Sequence, residues 1–245
     1  MEIKSYGMYS NQGPHLNINE DLADVDLNLN LFTLIDAFGG SNIGDKAANI
    51  AKDVIKRSYT KISGDPESTL PFFFSHKYLI EGNALVNAFQ TAHQAILRDN
   101  DQKALSHKGG ASVLVGAMAE NVMTFVSTGN CIAFLYRQGT LKQIMVPDTM
   151  ETLSRDSFNS FHQSIPLSGL GLFEDLHYQV KEVKIREGDV LIFLTDGIYS
   201  RIKEDELKYM IEKHFDREIE LLRSLTKLSN ERGNLDNQSG LVLQF

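Results

Sequence analysis

Four places in the chain set carboxylates beside glycine, asparagine or another acid: Glu20-Asp21, Asp36, Asp196 and Asp236. Hard divalent cations take oxygen ligands, and Mg²⁺ or Mn²⁺ keeps several waters between a few carboxylates. Two such ions a few ångströms apart can share a bridging carboxylate and a bridging hydroxide, which attacks a phosphate. The sequence offers no competing metal site. Its seven histidines are dispersed, and His107, His162 and His177 read as surface or core residues. The single cysteine, Cys131, excludes an internal disulfide and a Cys-based zinc site.

Each acid must be delivered by an element. The apolar run Leu31 to Ile35 has strand character and ends on Asp36, with Gly39-Gly40 close behind. Residues 22–27 and 30–35 form a predicted hairpin that delivers Asp36, after a loop over 11–19 that ends on Asn19-Glu20-Asp21. Val190 to Leu194 is a second apolar strand, running into Thr195-Asp196-Gly197, and Asp236-Asn237 leads into a final strand over 240–245. Between these lie a weak first strand over 2–10 and helices over 44–59 and 79–98. Short strands follow over 111–118, 122–128, 131–137, 141–146 and 177–185, then helices over 204–214 and 216–229. The loop over 60–78 contains Gly64-Asp65-Pro66 and an apolar anchor, Phe72-Phe73-Phe74, expected to pack in the core. Residues 147–170 read as a long irregular stretch, of the kind that serves as a functional flap or is disordered. The order is strands, two helices, many strands, two helices, strand. It predicts an α+β fold with segregated helices, and a single domain over 1–245 with no linker or repeat.

Composition bounds the function. A chain of 245 residues, 42% hydrophobic and 23% charged, is expected to be globular and soluble. A net charge of -8 argues against general affinity for nucleic acid or anionic lipid. The N-terminal residues lack a signal-peptide pattern and no run of ~18 apolar residues exists, so no membrane association is expected and the cytoplasm is the expected location.

Taken in order, the motifs Asn19-Glu20-Asp21, Leu34-Ile35-Asp36-Ala37-Phe38-Gly39-Gly40, Gly110-Ala111-Ser112, Ser127-Thr128-Gly129-Asn130, Leu194-Thr195-Asp196-Gly197 and Asp236-Asn237 resemble the motif set of the metal-dependent protein Ser/Thr phosphatases of type 2C (PPM), as a divergent, bacterial-like member. Each motif alone is weak, and the ordered set spans nearly the whole chain. The resemblance implies a four-layer α-β-β-α sandwich, with two mainly antiparallel sheets face to face, helices outside, and a metal site at one edge of the sheets. It implies two divalent cations, Mn²⁺ or Mg²⁺. Asp36 resembles the carboxylate that bridges both. Glu20 and the Ala37 carbonyl resemble the other protein ligands of one ion, and Asp196 and Asp236 the ligands of the second. Asp21 matches an acid that orders metal-bound water. Asp21, Asp36 and Asp196 are thus the implied catalytic acids, and 147–170, with Asp148 at its start, the implied flap.

Departures from the family pattern accompany the match. Ala37 stands where glycine is usual, and a backbone carbonyl still serves there if φ is negative. Phe38 replaces a common histidine. Leu16 occupies the position of a phosphate-binding arginine, and losing such a contact costs on the order of 1.5–3 kcal/mol. Gly129-Asn130-Cys131-Ile132 departs from a Gly-Asp-Ser-Arg motif whose aspartate holds a third, weaker metal. The implied activity is hydrolysis of phosphoserine or phosphothreonine in a protein substrate, in a Ser/Thr kinase signalling setting, with the phosphate clamp weakened. The alternative is a pseudophosphatase that binds a phosphoprotein or partner with little turnover.

Overall fold

A computed structural model describes the chain except residues 41–42, 65–68 and 157–158, and describes only the backbone of the rest of 151–164. The elements are β1 (Ser5–Asn11), β2 (Asp21–Asp26), β3 (Leu31–Phe38), α1 (Gly44–Ser63), α2 (Ile80–Asn100), β4 (Gly110–Ala119), β5 (Val122–Thr128), β6 (Ile132–Arg137), β7 (Thr140–Met145), β8 (Thr149–Asp156), β9 (Asn159–Pro166), β10 (Gln179–Lys184), β11 (Val190–Leu194), α3 (Asp196–Tyr199), α4 (Glu204–Lys213), α5 (Glu218–Glu231) and β12 (Gln238–Gln244). One sheet has the order β1-β12-β11-β6-β7 and the other β10-β5-β4-β3-β2, and their strand pairs are antiparallel.

Strand alternation assigns the faces. On β3, Phe32 and Leu34 join Leu114 and Phe125 against Leu191, Phe193, Leu241 and Leu243 of the opposing sheet, forming the inter-sheet core. Phe125 and Phe193 meet edge to face, centroids 5.7 Å apart. The alternate residues of β3, Ile35 and Ala37, face the other way and pack under α1 and α2 with Ala48, Ile55, Leu85 and Phe89. Leu207, Leu221, Leu222 and Leu225 of α4 and α5 cover the second sheet. The α-β-β-α layering matches the expected fold.

Several sequence expectations are corrected. Helix α1 runs on to Ser63 because Ile62 extends the buried stripe three residues beyond Tyr59. Helix α5 begins at Glu218 rather than 216, since Asp216 has φ +62°, outside helical geometry. Of the phenylalanine triplet, only Phe73 packs against the core, while Phe72 and Phe74 are exposed. Buried asparagines hold this loop: Asn87 Oδ1 accepts from the Phe72 and Phe73 amides, and Asn83 Oδ1 from that of Ser75. The turn expected at Asp65-Pro66 lies outside the described residues.

The stretch 147–170 is not irregular. It contains the antiparallel pair β8–β9, in register from Thr149↔Pro166 to Asp156↔Asn159. Among the described residues these strands pair only with each other. Their sequence, Thr149 to Asp156 and Asn159 to Pro166, shows no apolar alternation from which strands could be read. The pair is tied at its base, where the Asp148 amide donates to the Gly129 carbonyl and the Leu167 amide to the Asp148 carbonyl.

Phe193→Ala removes the ring that joins the two sheets. Truncation of a fully buried phenylalanine costs about 3–5 kcal/mol. Urea denaturation should show a lower midpoint with an unchanged slope.

Candidate metal-dependent active site

Asp21 and Asp36 lie directly opposite each other on β2 and β3. Asp36 continues the face of Phe32 and Leu34, so both acids point between the sheets at the end of the inter-sheet core. The second sheet brings its acids to the same edge. Asp196 follows β11 and opens α3, and Asp236 precedes β12. Asp21 and Asp196 are each only 8% exposed, Glu20 and Asp36 are half-buried, and Asp236 sits at the solvent-facing rim.

Neutral donors hold this group. Thr195 Oγ1 donates to Asp21 Oδ2 at 3.0 Å, linking the two sheets. Asn130 Nδ2 donates to Asp196 Oδ2 at 2.9 Å. The Gly44 amide, at the start of α1, donates to Glu20 Oε1 at 3.1 Å, where the helix N-terminus favours an anion. A Cβ on residue 44 would stand 2.6 Å from that carboxylate, so a side chain there would push Glu20 aside. Asn237 Oδ1 accepts from the Glu20 amide at 2.9 Å, and its Nδ2 donates to the carbonyls of Gln12 and Ile18. Ala37 lies within β3 and is absent from the positive-φ residues, as a carbonyl ligand from alanine requires.

Electrostatics records the crowding. Burial, then the charges of Asp196, Asp21 and Asp236, holds the Asp36 carboxyl well above the usual range, and Asn130 opposes the shift. Asp21 is likewise raised well above it by burial, opposed by Thr195. Burial and then Asp236 push Asp196 up to about 7. Burial raises Glu20, against the Gly44 amide, and burial raises Asp236. Among the described residues, no salt bridge reaches any of these five acids. Arg201 is close enough to feel the charge of Asp196, but clustered carboxylates in no salt bridge suit a hard cation, as does their all-oxygen character. As they stand, no three His, Cys, Asp or Glu groups among the described residues form a ready ligand cage. Asn130 instead holds Asp196, and Asp36 and Asp196 influence each other's ionisation.

Other expectations resolve plainly. Burial and three neighbouring aspartates hold the Cys131 thiol well above its ordinary value, which keeps it from acting as a thiolate. His107 and His177 are exposed, and the side chain of His162 lies outside the described residues. Leu16 is 39% exposed, on the loop that leads to Glu20. Sequence reasoning gave no role to Thr195, Asn237 or Gly44, which orient the acids. The first two are immediate neighbours of Asp196 and Asp236, and that adjacency was their only signal.

The chain matches the family model described as Stage II sporulation protein E (SpoIIE) over residues 75–236. It is 21% identical over 158 residues to Probable protein phosphatase 2C 26 of Arabidopsis thaliana, covering 63% of this chain and 50% of that protein, so it spans about half the length of the curated relative. Its fold is similar to the serine/threonine phosphatase PstP/Ppp of Mycobacterium tuberculosis, with TM-score 0.78, 19% identity and 98% of each chain covered. It is also similar to the catalytic domain of serine threonine protein phosphatase PstP in complex with 2 manganese ions, with TM-score 0.74, 18% identity, and 98% of this chain and 97% of that one covered. No described helix is long and apolar enough to cross a membrane. With two sheets meeting at an acidic edge and a family match across most of its length, the chain belongs to the SpoIIE family, and its fold and motifs resemble those of the type 2C metal-dependent Ser/Thr phosphatases.

Proposed function

We propose that residues 1–245 act as one phosphatase-like domain that hydrolyses phosphoserine and phosphothreonine in proteins with the help of two divalent cations, Mn²⁺ or Mg²⁺. The observation that carries this reading is the convergence of Asp21, Asp36 and Asp196 at the sheet edge, withdrawn from water to the point that each carboxyl is raised above its usual range. In this reading Glu20, Asp36 and the Ala37 carbonyl hold one cation, and Asp36, Asp196 and Asp236 the other. The cations, when bound, supply Lewis-acid polarisation of a phosphoryl oxygen and lower the pKa of an attacking water. Asp21, held by the Thr195 hydroxyl, would orient a water and accept a hydrogen bond from it. Two manganese ions in a solved relative of the same fold support the choice of metal. A cytoplasmic phosphoprotein modified by a Ser/Thr kinase is the substrate setting this reading implies.

Retained binding without turnover is the second reading. It is favoured by Leu16, whose exposed apolar side chain offers a phosphate no charge-assisted contact. Turnover of a phosphothreonine peptide with and without Mn²⁺ separates the two. Metal-dependent release of phosphate supports the enzyme, and peptide binding with no release supports the alternative.

Three measurements follow from the site. Calorimetric titration with Mn²⁺ should give saturable binding, most of it abolished in Asp36→Ala, because that carboxylate is assigned to both ions. A variant that binds as wild type does would sink the assignment.

The pH dependence of metal-free stability has a definite sign. Asp21, Asp36 and Asp196 have folded-state values raised above about 4, so the native state binds protons that the unfolded chain releases. That stability is full below the unfolded value and is lost as pH rises through the folded ones, near 7 for Asp196. In chelator the melting temperature should fall between pH 5 and 8. Saturating Mn²⁺ should oppose the fall, since cation and proton compete for the same oxygens.

Leu16→Arg should raise kcat/KM on phosphopeptides about tenfold, if the regained fork is worth ~1.4 kcal/mol in the transition state. Position 16 is solvent-accessible, so the arginine should leave the melting temperature unchanged. An unchanged rate would place residue 16 away from the phosphate.

A further inference from the structure

Asn130 is held at its backbone from several sides. Gly129 before it has φ +83°, and a Cβ there would run into Ser112 Oγ. That same Oγ accepts from the Asn130 amide at 3.2 Å, and the Tyr199 hydroxyl donates to the Asn130 carbonyl at 2.7 Å. The residue is 4% exposed. Its Nδ2 donates to Asp196 Oδ2 at 2.9 Å, while Ser112, which anchors its amide, lies directly opposite Asp36 on the neighbouring strand.

The other end of the amide is orphaned. Oδ1 is buried and accepts no hydrogen bond among the described residues. Turning the amide over would not help, because Oδ1 would then face a carboxylate oxygen of Asp196. An unsatisfied buried acceptor costs free energy, so this orientation is sustained by what Nδ2 does and not by what Oδ1 gains.

We propose that Asn130 is a positioning residue that cross-links the Asp196 carboxylate of one sheet to the Ser112 edge of the other, where Asp36 lies, keeping the sheet edge assembled when no cation is bound. This deepens the two-cation reading and rests on it only for the loaded state. An amide brings two N–H donors and no charge, whereas an aspartate of nearly the same shape adds another anion to a desolvated group of anions. Once divalent cations screen the carboxylates, the cross-link is no longer needed for the fold.

The test is thermal melting of the full chain in chelator and in saturating Mn²⁺, for wild type, Asn130→Asp and Asn130→Ala. In chelator, Asn130→Asp should melt lowest, by roughly 5 °C or more below wild type for a chain of this size. Asn130→Ala should fall between the two, and Mn²⁺ should close most of the gap for the aspartate variant. A residue that merely fills space gives the reverse order, with the isosteric aspartate tolerated and alanine costly, and that order in chelator overturns the proposal. Should Asn130→Asp fail to fold without metal but fold with it, that outcome supports the proposal. Failure under both conditions passes the decision to Asn130→Ser, which keeps a donor and must melt above Asn130→Ala in chelator. A wild type whose melting ignores Mn²⁺ would defeat the two-cation reading, while the ranking in chelator would still decide this one.

Discussion

Three aspartates withdrawn from water and pressed together at one edge are the constraint on which the rest of the molecule depends. Each carboxylate loses hydration, and each raises the cost of ionising its neighbours. Such a group persists only if the surrounding frame is stiff enough to resist their separation. The stiffness comes from the inter-sheet core. Phe32 and Leu34 lie on the same strand face as Asp36, and Phe193 lies two residues before Thr195, which grips Asp21 across the sheets. The residues that hold the sheets together and the residues that crowd the charges therefore alternate along the same strands.

The second consequence is that distant parts of the sequence become neighbours at the site. Asn237, just before the last strand, fixes the amide of Glu20 and the carbonyls of Gln12 and Ile18. The loop carrying Leu16 and Glu20 is thus shaped by a residue more than two hundred positions away. Contacts of such sequence separation form late and need both sheets in place. The geometry of the acidic edge is in this sense a property of the closed sandwich and not of any local motif.

This explains what could and could not be read from the residues. The apolar runs ending on Asp36 and Asp196 were legible because strands buried on both faces write continuous hydrophobic segments with abrupt ends. The helices were legible from stripes such as Ala47, Ala51 and Ile55. The β8–β9 pair was not, because its residues are mostly polar and show no period-two alternation of apolar side chains. The grips of Thr195 on Asp21 and of Asn130 on Asp196 were also invisible. They join residues 174 and 66 positions apart, and a lone threonine or asparagine carries no sign of its partner.

The two departures from the type 2C pattern that touch charge act in opposite directions and in different dielectrics. Leu16 in place of arginine removes a cation at an exposed loop, where water screens charges and the loss costs the fold little. Asn130 in place of aspartate removes an anion from the buried floor, where the same charge acts through a poorer dielectric and its removal relieves the fold most. The formal charge of the site is unchanged by the pair, but its distribution is not. The floor becomes easier to assemble without metal, and the rim becomes weaker at drawing in a phosphate. Under the two-cation proposal, such a site keeps its carboxylates for cations and concedes its grip on phosphate, so selectivity would have to come from contacts with the protein that carries the phosphate.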